Sequence, residues 1–317
     1  MSRALVSIVI ATYQSRHDHL SAAIASALGQ TWESIEIIVC DDSPNDALAA
    51  FVTGFGDPRL RYRHNAPPLG VARNHWVSFT EARGEYLVVL NHDDWLAPTF
   101  VEQLAQALHQ QPDAVLAFCD HWIIDVRGRR RDADTDRNSD AWGRAQLAPG
   151  MHCPFPALVA EQTIPMAMGA LFRRSALPRT LPADAGPAYD LWLAYLLCRD
   201  GGGAWYVRKR LSAWRSHADN LTSGGGLAWL KGSATCWQAM SRDPLFRSLN
   251  HITRRKAALG FYGCAVRAWT DGQRLACAGF ALRSVQAQLT LRGLLACLLP
   301  VLPTNLPLTR LSGRRAV

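Results

Sequence analysis

Several features that would settle the class of this 317-residue chain at once are missing. Its eight cysteines, Cys40, Cys119, Cys153, Cys198, Cys236, Cys264, Cys277 and Cys297, form no C-x-x-C pair. Most lie inside apolar runs, so they read as small buried hydrophobes in a reducing compartment, not as a disulfide frame or a zinc site. No apolar run reaches the ~18 residues that a membrane-spanning helix needs. The N-terminus, MSRALVSIVIATY, has one arginine, a short apolar run and no small-residue cleavage site after it. It reads as a first strand, not a signal peptide. Residues 10–20 contain no glycine. That removes the G-x-G-x-x-G turn of a dinucleotide-binding dehydrogenase. Charged residues make up only 19% of the chain, and eleven Trp and ten Phe need burial, which excludes a disordered polymer.

Acidic residues are scarce at one end. Between Asn250 and Val317 ten Lys/Arg face one acid, Asp271, so this segment carries +9 of a total of +8 and the rest of the chain is near −1. The segment includes the apolar stretch GLLACLLPVLP (293–303), flanked by Arg283, Arg292 and Arg310. A basic, hydrophobic tail of this kind suits an anionic membrane surface; packing on the rest of the chain is the alternative. The same charge is a weaker argument for nucleic acid, because no helix-turn-helix, zinc or RNA-recognition signature accompanies it.

What is present alternates. VSIVIA (6–11) is a continuous β-branched run, and Leu20, Ala23, Ile24, Ala27 and Leu28 follow at helical spacing, with Gly29 as the stop. IEIIVC (35–40) is a second strand and Leu60–Arg63 a short third. Gly70–Ala82 reads as a helix, Tyr86–Leu90 as a buried strand, Thr99 as the cap of a helix reaching His109, and Val115–Cys119 as another strand. Continuous apolar strands alternating with helices predict an α/β fold around a mostly parallel sheet. Arg127–Arg144 mixes charges with almost no apolar anchor and reads as a loop. Leu158–Arg173 is strand-like, Asp190–Cys198 an apolar helix and Val207–Trp214 a strand. Gly224-Gly225-Gly226 reads as a linker to helical repeats beyond it. The expected division is a catalytic domain over 1–223 and a basic, mainly helical extension over 224–317.

Three strands end in chemically loaded residues: Thr12-Tyr13, Asp41-Asp42, and Asn91 to Asp94 in LVVLNHDDWLAP. Ligands bind beyond the carboxyl ends of parallel strands, so these ends should meet around one ligand. An acid at one strand end can equally cap a helix. The ordered set VSIVIATYQ, VCDDSP, GVARNHW and GEYLVVLNHDDWLAP, over roughly residues 5–220, resembles the family 2 glycosyltransferases, inverting enzymes with a GT-A fold.

The resemblance implies roles. Ala11, Thr12 and Tyr13 would lie by the base of a nucleotide-diphospho-sugar donor, a UDP-sugar in first place. Asp42, or Asp41, would order the base or ribose. Arg73 would hold strand ends together or approach the diphosphate, with a plain surface cation as the alternative. Asn91–Asp94 resembles the DXD motif, whose carboxylate holds a divalent cation, Mn or Mg, against the diphosphate. Asn91 replaces the first acid and would bond a ribose hydroxyl. Asp93 would ligate the metal, with Asp94 supporting it or capping a helix. WRSHADNLTS (214–223) resembles the family's R-x-H segment, which makes His217 a metal or diphosphate ligand and Arg215 a phosphate partner. The general base of the family would fall near Pro187 and Ala188, where no acid stands. Asp190, or Asp184, takes its place, or Asp190 only caps its helix.

No Q-x-x-R-W sequence marks a processive synthase. The implied reaction is transfer of a single sugar to a hydroxyl of a glycan or lipid-linked acceptor in cell-surface polysaccharide synthesis, in the cytoplasm and peripherally on the inner face of the plasma membrane. The alternative is a catalytically impaired nucleotide-sugar-binding or assembly protein on the same fold, for which Asn91 and Ala188 speak.

Overall fold

The structure, a computed structural model, describes residues 3–217 and 226–302. The chain divides into two compact units: Met1–Leu181 with Leu196–His217, and Pro182–Tyr195 with Ala218–Val317.

The first unit is built on β1 (Val6–Thr12), α1 (His17–Leu28), β2 (Ile35–Asp41), α2 (Ala49–Thr53), β3 (Leu60–His64), α3 (Val71–Glu81), β4 (Tyr86–Asn91), β5 (Trp95–Leu96), α4 (Phe100–Gln110), β6 (Ala114–Ile124), α5 (Asp132–Ala141), β7 (Gly150–His152), α6 (Pro156–Ala160) and β8 (Ala170–Arg173). Helix α7 (Tyr189–Arg199) carries the chain across the unit boundary, and β9 (Gly203–Arg215) completes the sheet. The strands run in the order β3-β2-β1-β4-β8-β6-β9-β5, with β7 also paired to β9. β1 is parallel to β2 and β4, and β6 is parallel to β9, whereas β8, β5 and β7 pair antiparallel. This is the mostly parallel sheet with flanking helices that the alternating pattern predicts.

Every residue of β1 and β2 is buried, because helices cover both faces of the sheet and leave no polar side. Ile8, Ile10, Ile37, Val39 and Val88 are fully enclosed in one cluster, each contributing on the order of 2 kcal/mol of apolar burial. Close packing extends to the backbone at Gly84, where a Cβ would sit 2.7 Å from Leu5 O, Ser7 N and Tyr86 O. Registers then fix the functional edge. Thr12 lies opposite Asp41, and Ala11 lies opposite Asn91, so the carboxyl ends of β1, β2 and β4 stop at one level.

Three local expectations change. Residues 127–144, expected as a loop, contain α5, whose buried side chains are Thr135, Asn138 and Ser139. The Thr135 hydroxyl accepts from Ile123 N–H at 2.9 Å, and Ser139 donates to Asp120 at 2.5 Å. Arg144 is enclosed and pairs with Asp120 at 2.6 Å. A helix anchored by polar contacts leaves no hydrophobic period to read. Residues 158–173 hold the end of α6, a turn and then β8, because an apolar run that short does not discriminate between helix and strand. Thr99 flanks α4 but makes no side-chain cap; the first-turn N–H of Val101 is taken instead by Gln30 Oε1 at 2.9 Å.

In the second unit, residues 182–195 accompany α8 (Leu227–Arg242), α9 (Asn250–Thr270), α10 (Arg274–Ala287) and α11 (Leu291–Ala296), with a 3-10 turn joining α8 to α9. Small residues let the helices approach closely: a Cβ at Gly260 would meet Ala234 Cβ at 2.8 Å. All eight cysteines are free, six of them buried, with Cys153 and Cys297 exposed. The Gly224-Gly225 part of the expected linker and the tail arginines Arg310, Arg314 and Arg315 lie outside the described residues.

Candidate functional site

The site is assembled at the carboxyl edge of the sheet in the first unit. β1 ends with Ala11 and Thr12 buried, and the next residue, Tyr13, projects with 54% exposure. Gln14 adopts a left-handed backbone (φ 46°), and its N–H donates to Ser43 Oγ at 2.8 Å, which turns the chain sharply away from Tyr13. An exposed aromatic ring on a braced turn is suited to stacking against a flat base.

Asp41 and Asp42 are both buried. Asp41 accepts from Ser43 N–H (2.9 Å), Ser43 Oγ (2.5 Å) and Tyr62 OH (2.7 Å). Asp42 accepts from Leu69 N–H (2.6 Å), Gly70 N–H (2.7 Å) and Asn65 Nδ2 (3.1 Å). A carboxylate has about four lone-pair positions, so each acid keeps roughly one for a ligand while holding its loop. Asn74, the neighbour of Arg73, ties the strand ends together. It accepts from Asn65 and donates to Cys40 O at 3.0 Å and Thr12 O at 3.4 Å. Arg73 itself is exposed on the first turn of α3, with no ion pair among the described residues.

The Asn91–Asp94 turn is the electrostatic centre. Asp94 is fully enclosed, accepting from the Arg215 backbone N–H at 2.7 Å and from Asn91 Nδ2 at 2.8 Å. Burial, and then the neighbouring Asp93 charge, push its carboxyl well above the usual range. Asp93 faces the other way, and its Oδ2 lies 2.8 Å from His217 Nε2. Arg215 is buried and braces the arrangement from β9. Its Nε donates to Asp93 O at 2.7 Å, and its Nη1 to Asp125 O and Val126 O at 3.2 Å each. Asp94 thus fastens β9 to β4, and Arg215 fastens the loop after β6 to both. Asn220 and Ser223 of the same sequence motif lie outside the described residues.

One member was invisible to motif reading. His19, near the start of α1, is buried with its ring 6.0 Å from that of His217 and with no hydrogen-bond partner for Nε2 among the described residues. Burial, and then the nearby Arg215 charge, lower its pKa. Its only sequence signal is a histidine on the apolar stripe of α1.

The sequence-predicted residues of β1, β2, β4 and β9 therefore share one edge of the sheet. Asp190 belongs to the second unit. It lies in the first turn of α7, accepts from Leu191 N–H at 2.8 Å, and burial raises its pKa.

The model of "Glycosyl transferase family 2" matches residues 7–177, more than half of the chain. The chain belongs to this family. Among curated proteins it is similar to the Escherichia coli UDP-Glc:alpha-D-GlcNAc-diphosphoundecaprenol beta-1,3-glucosyltransferase WfgD, with 33% identity over 34% of this chain and 43% of WfgD. It also resembles the Rhizobium meliloti succinoglycan biosynthesis protein ExoO, with 36% identity over 32% of this chain and 29% of ExoO. The chain spans less than half the length of either relative. Among solved structures, S. aureus TarS 1-349 in complex with UDP-GlcNAc superposes with a TM-score of 0.61 at 12% identity, covering 89% of this chain and 81% of TarS. The Pyrobaculum calidifontis mannosyltransferase PcManGT, in complex with GDP-Man and Mn2+, gives 0.57 at 15% identity, over 95% and 85%. These likenesses show the GT-A-type architecture.

Proposed function

We propose that this family 2 member is an inverting glycosyltransferase that moves a single sugar from a nucleotide-diphospho-sugar, with UDP as the nucleotide, to a hydroxyl of a glycan or lipid-linked acceptor in polysaccharide synthesis. The observation that carries the reading is the Asp93–His217 pair, aimed from two strand ends and locked from behind by Asp94 and Arg215.

The donor set suits a divalent cation that shares its coordination with substrate. Asp93 offers hard carboxylate oxygen and His217 imidazole nitrogen, and both side chains are partly accessible. No group of three or more metal-binding side chains occurs among the described residues. Mg²⁺-type sites of one or two protein ligands complete their shell with water and substrate phosphates. Asp93 and His217 would hold the ion, Mn²⁺ or Mg²⁺, which when bound supplies positive charge to the leaving diphosphate.

The chain's own groups do the rest. Tyr13 would stack on the base, and the remaining lone pairs of Asp41 and Asp42 would accept from the base or ribose. Asn91, already donating to Asp94, keeps its Oδ1 to accept from a ribose hydroxyl. Arg73, exposed and in no ion pair among the described residues, would meet the diphosphate. In the transfer step the acceptor hydroxyl loses its proton to a carboxylate, its oxygen attacks the anomeric carbon, and the bond to the diphosphate oxygen breaks on the opposite face. The nucleoside diphosphate leaves with the electron pair, which inverts the anomeric centre. Asp190 is the proposed proton acceptor, because a carboxylate whose pKa is raised by burial is the stronger base.

Calorimetric titration of UDP, GDP and dTDP with and without Mn²⁺, on the parent chain and Asp93→Ala, tests the reading. Metal-dependent binding of UDP that is lost in the variant is expected. No binding of any nucleotide to the parent chain refutes it. Tight UDP binding with no release of UDP from a UDP-sugar in the presence of acceptor would leave the binding-protein alternative standing.

A further inference from the structure

At α10 and α11 the second unit carries a set of large apolar side chains on the wrong side for a helical bundle in water. Its interior between α9, α10 and α11 is filled mainly by Ala265, Ala268, Ala281 and Ala296, with Tyr262 and Trp269. Leu299 is buried with them, but the leucines of α10 and α11 face out. On α10, Leu275 and Leu282 stand seven residues apart on one stripe, 92% and 58% exposed, and Leu289, in the extended connection after it, is 70% exposed. On α11 and the turn that continues it, Leu291, Leu294, Leu295 and Leu298 stand at i, i+3, i+4 and i+7, between 42% and 73% exposed. A helix that packs only against its own protein puts such a stripe inward. Isolated exposed leucines are ordinary; two adjoining stripes of them mark a docking surface.

The charge around the stripes is of one sign. From Asn250 to Leu302 seven Lys/Arg face a single acid, Asp271, and that acid is paired with Arg267 at 3.1 Å. Arg274, Arg283 and Arg292 have no carboxylate partner among the described residues, and each stands next to an outward leucine in sequence (Leu275, Leu282, Leu291). Arg283 also lies over the Phe261 ring at 5.4 Å, which holds its base against the helix pair. A second copy of this unit would bring the same positive face against it. Residues 303–317 carry three more arginines and no acidic side chain. Like charge therefore disfavours both as occupants, and an anionic surface with an apolar interior complements charge and apolarity together.

We propose that the α10–α11 face of the second unit is a peripheral docking surface for an anionic lipid bilayer, with the outward leucines entering the headgroup–acyl boundary and Arg274, Arg283 and Arg292 meeting lipid phosphates. No helix among the described residues is long and apolar enough to cross a membrane, so the contact lies in the plane of one leaflet. The inference stands apart from the transfer chemistry: it concerns where the protein works, and it uses no residue of the nucleotide site.

The test is flotation of the full-length protein with vesicles of phosphatidylcholine alone or with 30% phosphatidylglycerol added. Binding to the anionic vesicles and weak binding to the neutral ones is expected. Arg274→Gln/Arg283→Gln/Arg292→Gln should weaken anionic binding on the order of a hundred-fold, at about one order of magnitude or less per arginine. Leu282→Ser/Leu294→Ser/Leu298→Ser should abolish it while UDP affinity and the melting temperature hold. If the leucine variant does not fold, the arginine variant decides, since its changed side chains are exposed. The proposal is overturned if the parent chain ignores anionic vesicles, if it binds neutral and anionic vesicles equally, or if light scattering shows a dimer that the leucine variant dissociates.

Discussion

Replacing Asn91 with Asp would put an acid first in the Asn91–Asp94 turn, and the structure argues that it would destabilise the free protein. The Asn91 amide donates to Asp94 Oδ2 at 2.8 Å, and Asp94 has no exposure. Asn91→Asp exchanges that donor for a second carboxylate. The lost hydrogen bond to a charged group is worth about 1.5–3 kcal/mol. Two carboxylates ~4 Å apart repel by about 4 kcal/mol at an effective dielectric of 20. Asn91 is only partly buried, so the new side chain can turn toward water and shed part of the repulsion. We expect a net loss of about 2–4 kcal/mol at pH 8 in chelator, read as a fall in melting temperature of roughly 2 °C per kcal/mol. The sign with pH follows from shared protonation. Facing carboxylates have a raised folded-state pKa, so stability present in acid is lost as pH rises through that value. The deficit against the parent chain should therefore narrow at pH 5 and widen at pH 8. Millimolar Mn²⁺ should raise the melting temperature of the variant more than that of the parent. A variant that melts with the parent at pH 8 in chelator would refute the reasoning. So would a deficit that responds to neither pH nor Mn²⁺.

Other expectations are nearer to hand. His75 and His121 are buried, and burial lowers both pKa values to about 3; each therefore removes about 1.4 kcal/mol of stability per pH unit as pH falls below ~6.5. His121→Gln should flatten that slope in a pH series of urea melts, and an unchanged slope would count against it. Asp190→Asn should lower turnover at least ten-fold with UDP affinity unchanged; a collapse of affinity makes Asp190 structural. Asp42→Asn puts an amide where two backbone N–H groups converge, and should cost about 2–3 kcal/mol and weaken UDP binding through the loop at Leu69–Gly70. Gly84→Ala, with three backbone atoms in the way, should lower stability by about 1–3 kcal/mol and leave the nucleotide preference alone.

Strand positions in the first half were legible because parallel strands covered on both faces leave unbroken β-branched runs, as in Val6–Thr12 and Ile35–Asp41. The loaded strand ends were legible for the same reason: chemistry begins where the apolar run stops. Helix α5 was not, because Thr135, Asn138, Ser139 and the buried Asp120–Arg144 pair replace a hydrophobic stripe. In GVARN the eye goes to the charge of Arg73, while the neutral Asn74 makes the ties to Cys40 and Thr12. At Asp41 and Asp42 residue type announces a carboxylate but cannot say how many of its lone pairs a loop has already taken. His19 signals only its place on the apolar stripe of α1 and nothing of its neighbour His217, which lies almost two hundred residues away in the chain.

The interleaving of the two units sets a timetable for synthesis. Residues 182–195 precede β9 in the chain, yet they belong with helices made much later. Trp192 donates to Gly232 O at 3.0 Å and Tyr195 to Asp243 at 2.8 Å. A ribosome adding about 5–20 residues per second needs about 5–20 s to go from His217 to Val317. During that interval the first unit has all its strands, while Trp192 and Tyr195 await Gly232 and Asp243, the partners they bond. Nascent chains stalled near residue 220 should therefore be good chaperone clients, and those stalled beyond Thr270 poor ones.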